Sequence, residues 1–504
     1  MRLSALARQI AGAQLLGPGD PDISAIVYDS HRAAPGALFV AVPGFKADGH
    51  DYIPAALTAG AAALLVQGDR SHKWQPALRG RDVPALVVSD SRLALAQAAA
   101  ALYGYPGRRL NVVGVTGTDG KTSLAYLLAH LLGAEGPPAG LISTAECRIG
   151  AALLPDTGRF TTPEAPELQA MLAAMVEAGC RWAVVEATSH GLALHRMDGC
   201  DFDIAVVTNV GADHLDFHGS LQGYLAAKGR LFQMLDQSPA KGVPKAAVLN
   251  LDDPSHEYLR SLTTARILTY GLARGADIRP ERITPGDWSS HFQLITPAGE
   301  ADAVMPRPGV FNVYNALAAA AVGLTAGLTL DAIVAAVASW PGAPGRLERI
   351  DEGQPFTVVV DFAHAPDSLR RVLALLRSRT PGRLIVLFGS IGERDKARRA
   401  AMGRVAAEGA DFTIVTDDNP YGEDRHAIIA EIAAGLRAAG RSEGEDFALV
   451  PDRRQAIADA IKAAAPGDCV LLAGKGHETR VHLPDGAYDC DDREVARQLL
   501  RQQA

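Results

Sequence analysis

The residues best equipped for chemistry lie between positions 114 and 122. Gly114-Val115-Thr116-Gly117-Thr118-Asp119-Gly120-Lys121-Thr122 combines spaced glycines with a lysine and a threonine. Glycines let successive backbone N–H groups turn toward phosphate oxygens. An ammonium at Lys121 can bridge the outer phosphates, and the Thr122 hydroxyl can ligate magnesium. The strict phosphate-loop spacing asks for glycine where Val115 stands, so this is a variant with glycines at 114, 117 and 120. A fortuitous glycine turn is the competing account. The Gly-Lys-Thr run between an apolar strand and a helix argues against it.

Other chemically able residues follow later apolar runs. Glu186 ends Trp182-Ala183-Val184-Val185, where a carboxylate can hold magnesium or its water shell. An N-cap or a surface acid fits the same residues. Thr208-Asn209 ends the next run, and Asp213-His214-Leu215-Asp216-Phe217-His218-Gly219 comes after it. Acids and histidines gathered at a second strand end suit a metal or phosphate role, although a loop histidine is often only a hydrogen-bonding residue. Lys228, in Ala226-Ala227-Lys228-Gly229-Arg230, is a solvated helix lysine by default.

These residues need elements to hold them. The pattern predicts a strand over 110–115, the loop, and then a helix over 123–132. Strands are also predicted over 182–186 and 204–208. Before them come a short strand near 36–44, an Ala-rich helix over 54–63, a strand from 62 to 66 and a helix over 91–102. Tyr105-Pro106-Gly107-Arg108-Arg109 reads as a linker and Trp340-Pro341-Gly342-Ala343-Pro344-Gly345 as a break. After that break, strands over 357–360, 384–388, 412–415 and 469–473 alternate with helices over 367–377, 396–408, 425–438 and 453–463. Apolar strands alternating with helices indicate α/β domains built on mostly parallel sheets. In such sheets, ligands sit beyond the carboxyl ends of the strands.

The chain has 504 residues, too many for one ordinary core. The reading is three domains: 1–108, 109–341 and 342–504. Apolar residues make up 48% and charged residues 21%, as in ordinary globular proteins. The net charge of −8 comes without a basic block, so no nucleic-acid groove is expected. The cysteines 147, 180, 200, 469 and 490 are odd in number and show no C-x-x-C spacing, which favours reduced, buried thiols. The apolar run 316–322 is too short and interrupted to span a membrane, and a cytoplasmic protein is expected.

Taken in order, the motifs resemble the Mur ligases over nearly the whole chain. Thr116–Thr122 is similar to the family's ATP loop, with Asp119 where asparagine is commoner. Glu186-Ala187-Thr188-Ser189-His190-Gly191-Leu192, the block from Thr208 to Asp216, Phe311–Leu317, Gly345-Arg346-Leu347-Glu348 and Asp361–Asp367 match further family blocks. The resemblance implies an N-terminal domain for a UDP-linked substrate, a central P-loop ATPase-like domain and a C-terminal Rossmann-like domain for the amino acid. It implies an ATP- and Mg2+-dependent ligase that joins an amino acid to UDP-N-acetylmuramoyl-L-alanyl-D-glutamate through an acyl phosphate, in peptidoglycan synthesis. A monomer is expected.

By the same resemblance, Lys121, Glu186, His214 and Lys228 are catalytic. Thr122, Glu186, His214 and Lys228, the last as a carbamate, are the metal ligands. Gly117, Thr118, Gly120, Lys121, Thr122, Asn209, Asn312, Asn315, Arg346 and Asp361 would contact ATP, and domain closure near Arg346 and Asp361 would complete the site. Ser30, Thr161, Thr162, Thr188 and Arg196 would hold the carrier. Arg394, Asp418, Asn419, Tyr421, Gly474 and Glu478 would hold the amino acid.

Three positions depart from the family pattern: His31 and Tyr421 each stand for arginine, and Leu194 stands for glutamine. Tyr421 is the most informative. An arginine there grips the distal carboxylate of meso-diaminopimelate, and tyrosine carries no such charge. Lysine or ornithine is therefore expected as substrate, unless a nearby cation such as Arg425 takes over. The alternatives are a related ligase with another carrier, folylpolyglutamate-like or of a specialised peptide pathway, and a non-catalytic nucleotide-binding protein. The last would need to have lost a phosphate or metal residue, and Lys121, Thr122, Glu186, His214 and Lys228 are all present.

Overall fold

The computed structural model describes residues 1–45, 47–154 and 162–503. Its contacts divide into two units: Met1–Pro306 with Val310–Trp340, and Pro341–Ala504 with Arg307–Gly309.

The first unit contains two parallel-rich sheets. In one, Ala85–Val88, Ala63–Gln67, Ala37–Val40 and Ala25–Val27 run parallel, and Gln14–Leu16 adds an antiparallel edge. Its helix Ser91–Leu102 matches the expected span, started by Asp90, whose carboxylate accepts the Arg92 and Leu93 N–H groups. The helix expected over 54–63 is shorter, Ile53–Thr58. Gly60 turns left-handed (φ 95°) and frees the chain to enter Ala63–Gln67.

The larger sheet has eight strands, ordered Arg266–Tyr270, Ala246–Asn250, Ile204–Val207, Asn111–Thr116, Trp182–Glu186, Gly140–Ile142, Cys147–Ile149 and Ala152–Leu153. The first six are mutually parallel. Asn111–Thr116 lies between Ile204–Val207 and Trp182–Glu186, so the carboxyl ends that carry Thr116, Glu186 and Thr208 are adjacent. Helices cover both faces, which is why these strands read as unbroken apolar runs. Their residues Val112, Val113, Val184, Val185, Ala205 and Val206 are fully buried. An antiparallel sheet of Arg279–Pro285, Ser290–Thr296 and Gly299–Met305 follows. The sequence reading missed it, because its first strand is half to fully exposed and lacks an apolar face.

The second unit has a six-stranded sheet, ordered Glu348–Ile350, Thr357–Asp361, Cys469–Ala473, Leu384–Phe388, Phe412–Val415 and Phe447–Leu449. All pairs but the first are parallel. The hairpin Arg480–Leu483 with Gly486–Asp489 was also not foreseen. Among the described residues, no helix is long and apolar enough to cross a membrane. All five cysteines are buried and none is joined in a disulfide.

Candidate active site

Gly117 is the point where the phosphate loop meets the neighbouring strand end. Its φ is 146°, and a Cβ there would lie 1.8 Å from the Thr208 hydroxyl oxygen, so only glycine fits. The Thr118 N–H donates to the Asn209 carbonyl at 2.8 Å. The Asn209 side chain accepts the Asp119 N–H (3.1 Å) and donates to the Asp119 carbonyl (3.2 Å). The Thr208 hydroxyl donates to that same carbonyl at 2.6 Å. The next helix is Lys121–Gly133, starting two residues before the expected position, with left-handed Gly120 as its N-cap. Loop and helix N-terminus are thus continuous, and the helix presents its positive end at the loop. Asn315 lies against Gly120, and its amide donates to Asn312 at 3.3 Å.

Two ammonium groups share the loop's first carbonyl. Lys228 donates to the Gly117 oxygen at 2.6 Å and Lys121 at 3.0 Å. Lys121 also donates to the Thr118 carbonyl at 2.8 Å. Lys228 is 1% exposed and lies 4.3 Å from the Tyr224 ring centroid. Burial, and then the charge of Lys121, push its ammonium well below the ordinary lysine range. The default expectation of a solvated helix lysine is therefore corrected.

Glu186 is 2% exposed, which removes the surface-acid account. It accepts the Thr122 hydroxyl (3.0 Å), the Thr144 N–H (3.0 Å) and the Thr144 hydroxyl (2.9 Å). It is not a helix cap either: Thr188 caps the helix Ser189–Ala193 by accepting the Gly191 N–H.

His214 has a left-handed backbone (φ 51°) and belongs to a ring cluster. Its centroid lies 4.8 Å from His190 and 6.4 Å from Tyr224, and Phe217 and His218 flank His190. Burial, then the charges of His214 and His218, push the His190 imidazole down to about 4. Among the described residues, no three His, Cys, Asp or Glu side chains form a metal-holding group. A divalent ion here would draw on Thr122, Glu186, His214 and a modified Lys228 instead.

A second cluster lies by the same strand ends. The Thr162 and Thr188 hydroxyls are 2.8 Å apart. Arg196 donates to the Thr162 carbonyl (3.0 Å) and pairs with Glu164 (2.7 Å). Ser30 is buried at the start of a short turn, and Arg32 pairs with Glu167 at 2.9 Å. His31, at the family's arginine position, is exposed.

In the second unit, three loops at the carboxyl edge of the sheet are joined by side chains. The Asn419 amide nitrogen donates to Glu478 (2.7 Å) and Asp418 (3.1 Å), and its oxygen accepts Lys475 (3.2 Å). Lys475 is fully buried and pairs with Glu478 at 2.7 Å. A Cβ on Gly392 would lie 1.9 Å from the Pro420 carbonyl oxygen, so glycine lets the loop carrying Arg394 close onto Asp418-Asn419-Pro420-Tyr421. Arg394 itself is exposed. Gly474 places its Cα side against Asp418. Arg425 is bonded to buried Asp417. Asp361 accepts the Leu347 and Ala363 N–H groups (2.8 and 2.9 Å), and burial raises its carboxyl above the usual range. Arg346 lies over the Phe362 ring at 4.2 Å.

Known proteins carry the same blocks in the same order. Family profiles described as Mur ligase family, catalytic domain; Mur ligase middle domain; and Mur ligase, glutamate ligase domain match residues 22–103, 115–323 and 345–476. A UDP-N-acetylmuramyl-tripeptide synthetase of Roseiflexus sp. (strain RS-1) is 46% identical, with 99% of each chain covered. The chain belongs to the Mur ligase family. It is an ATP-dependent amide-bond ligase with the family's three-domain α/β architecture. A UDP-N-acetylmuramoyl-L-alanyl-D-glutamate–2,6-diaminopimelate ligase of Geobacillus kaustophilus (strain HTA426) is 41% identical over the full length of both chains. A solved ligase of that same description is 31% identical, with TM-score 0.66 and 95% of each chain covered. MurF ligase from Thermotoga maritima in complex with ADP, 22% identical with TM-score 0.61, covers 95% of this chain and 98% of its own, and shares the fold.

The Mur ligase fold brings Gly117, Thr118, Gly120, Lys121, Thr122, Glu186, Asn209 and Lys228 together, with Asn315 against Gly120 and Asn312 bonded to Asn315. Thr162, Thr188 and Arg196 form their own group, and Asp418, Asn419, Gly474 and Glu478 a third. Thr161 lies outside the described residues. Sequence reasoning missed Thr144, Tyr224 and Lys475. A threonine after a short strand and a tyrosine one helical turn before Lys228 carry no signal alone. Lys475 had one: a lysine between two glycines directly after a fully apolar strand.

Proposed function

We propose that this Mur ligase adds a diamino acid without a distal carboxylate, lysine or ornithine, to UDP-N-acetylmuramoyl-L-alanyl-D-glutamate in the cytoplasm, for peptidoglycan synthesis. Residues 1–108 serve the UDP-linked carrier, 109–341 serve ATP and 342–504 serve the amino acid. The observation that carries the choice of amino acid is Tyr421. It occupies the last place of Asp418-Asn419-Pro420-Tyr421, where the family has arginine, and the nearby Lys475 and Arg425 are paired with Glu478 and Asp417. A neutral phenol offers a distal carboxylate no charge at that place. Asp418 and Glu478 both lie against Lys475, and as acids of this loop group they suit a second ammonium.

The chemistry follows from the loop. A carboxylate is a poor electrophile, so the carrier carboxylate attacks the γ-phosphate of ATP, giving an acyl phosphate and ADP. The amine of the amino acid then adds to the acyl carbon and expels phosphate. The N–H groups at the start of the helix Lys121–Gly133 and the Lys121 ammonium offset charge that builds on the phosphoryl oxygens. Thr122, Glu186, His214 and Lys228 would hold Mg2+, which would supply Lewis-acid neutralisation of the phosphates. Lys228 fits a carbamate: burial and the charge of Lys121 disfavour its ammonium, and a lysine amine adds to CO2 with loss of one proton to give an anionic oxygen ligand. Thr162, Thr188 and Arg196 hold the carrier, and Arg394 orients the amino acid's α-carboxylate.

The second reading, meso-diaminopimelate as substrate, is favoured by the names of the Geobacillus relatives. Phosphate release with ATP, Mg2+ and the UDP-linked dipeptide, run in parallel with lysine, ornithine and meso-diaminopimelate, separates the two. Release with lysine or ornithine supports the proposal. Release with diaminopimelate alone overturns it.

A further inference from the structure

Tyr421 is held by a residue outside every motif read from the sequence. It has a left-handed backbone (φ 51°), a conformation that bulky side chains rarely adopt. Such a backbone persists where its surroundings enforce it. Here the enforcement comes from His482, on the hairpin strand Arg480–Leu483. The Tyr421 N–H donates to the His482 carbonyl at 3.0 Å. The two rings stack at 5.4 Å between centroids with 20° between planes. The His482 N–H in turn donates to the Asn419 side-chain oxygen at 3.1 Å. Asn419 is the residue that bonds Asp418, Glu478 and Lys475. His482 therefore joins the aromatic ring at position 421 to the acid–lysine group at the end of the same loop.

We propose that His482 is a positioning residue for amino-acid selection, acting through Tyr421. The stack fixes the plane of the tyrosine ring two residues after Asn419, the side chain that bonds Asp418, Glu478 and Lys475. A neutral aromatic then stands rigidly at the position where the family has a guanidinium, linked through His482 and Asn419 to that acid–lysine group. An aromatic face attracts an ammonium and offers a carboxylate no charge. The placement of the substrate's side chain rests on the ligase reading above; the link between His482 and Tyr421 does not.

The test uses the full-length enzyme with ATP, Mg2+ and the UDP-linked dipeptide. kcat and KM are measured for ornithine, lysine and meso-diaminopimelate in wild type, His482→Ala, His482→Phe and Tyr421→Phe. In H482A the ratio of kcat/KM for the preferred diamine to that for diaminopimelate falls about tenfold, the scale of one cation–π contact. The fall sits in the KM of the amino acid, while KM for ATP stays within twofold. H482F, which keeps a ring to stack, restores most of the ratio, and Y421F retains it. A purely structural role predicts instead a lower melting temperature with all KM values shifted together and no rescue by phenylalanine; that result, or an H482A ratio equal to wild type in folded protein, overturns the proposal. Wild-type preference for diaminopimelate overturns the diamine reading separately, because an H482A shift in the ratio would still place His482 in selection.

Discussion

Around Gly117 the contacts run through the backbone: the Thr118 N–H bonds the Asn209 carbonyl, and the Lys121 and Lys228 nitrogens bond the loop's own Gly117 carbonyl. Around Asn419 the polar groups are side chains, brought from separate loops and bonded to one another. The first arrangement depends on where glycine permits the chain to go, and little on side-chain identity. The second depends on every side chain named. On the proposed reading, one substitution at position 421 alters what is accepted and leaves the Gly117 loop as it is. This division suits an enzyme that keeps its energy source fixed while its amino acid varies.

The sharpest way to test the contrast is through stability. Arg453 and Asp492 form a fully buried ion pair in the second unit, and Arg453 also donates to the Asp417 and Ala473 carbonyls at 2.7 and 2.9 Å. Arg453→Met leaves Asp492 buried without its partner, at a cost of about 3–5 kcal/mol. Chemical denaturation should show the loss; an unchanged midpoint would mean the side-chain network is not what supports these loops. Next in size, Lys121→Ala should lower ATP-dependent turnover about 100-fold or more, the scale of losing one preorganised charge contact. The protein should stay folded by circular dichroism, and full activity would remove the phosphate-loop assignment.

Tyr421→Arg restores a guanidinium to the amino-acid loop. It should raise the use of meso-diaminopimelate relative to lysine or ornithine by about tenfold, as one charge-assisted pair is worth. An unmoved ratio from competition assays would mean position 421 does not face the distal group. The smallest effect concerns pH. Hydrogen bonding from Arg399 lowers the Glu423 carboxyl to about 2, and Glu423 accepts the Glu393 N–H beside Arg394. A carboxyl lowered on folding adds stability that is present above its ordinary pKa of 4.5 and is lost as pH falls toward 2. Melting temperature should therefore fall less steeply between pH 5 and pH 3 in Glu423→Gln than in wild type. Parallel slopes would place the acid-sensitive contact elsewhere.

Much of this enzyme was legible before any folding was considered. Strands over 182–186, 384–388, 412–415 and 469–473 coincide with their observed spans, because a strand covered on both faces must be apolar throughout. The antiparallel strands from Arg279 to Met305 and the hairpin carrying His482 were not legible, since half-exposed strands lack that signature. Glu186 showed the limit most plainly. Its position at a strand end admitted a ligand, a cap or a surface acid, and only its burial beneath Thr122 and Thr144 separated them.

By itself, the sequence determined the phosphate loop and the parallel α/β plan, because glycine placement and apolar periodicity act over a few neighbouring residues. It also determined that position 421 carries no arginine. Tertiary structure decided the rest. Lys228 became a buried amine because Tyr224 and the carbonyl of Gly117, 111 positions away, enclose it. Tyr421 became a fixed ring because His482, a partner on another loop, holds both its backbone and its face. Desolvation and stacking depend on what surrounds a group in space, and residues distant in sequence supply those surroundings.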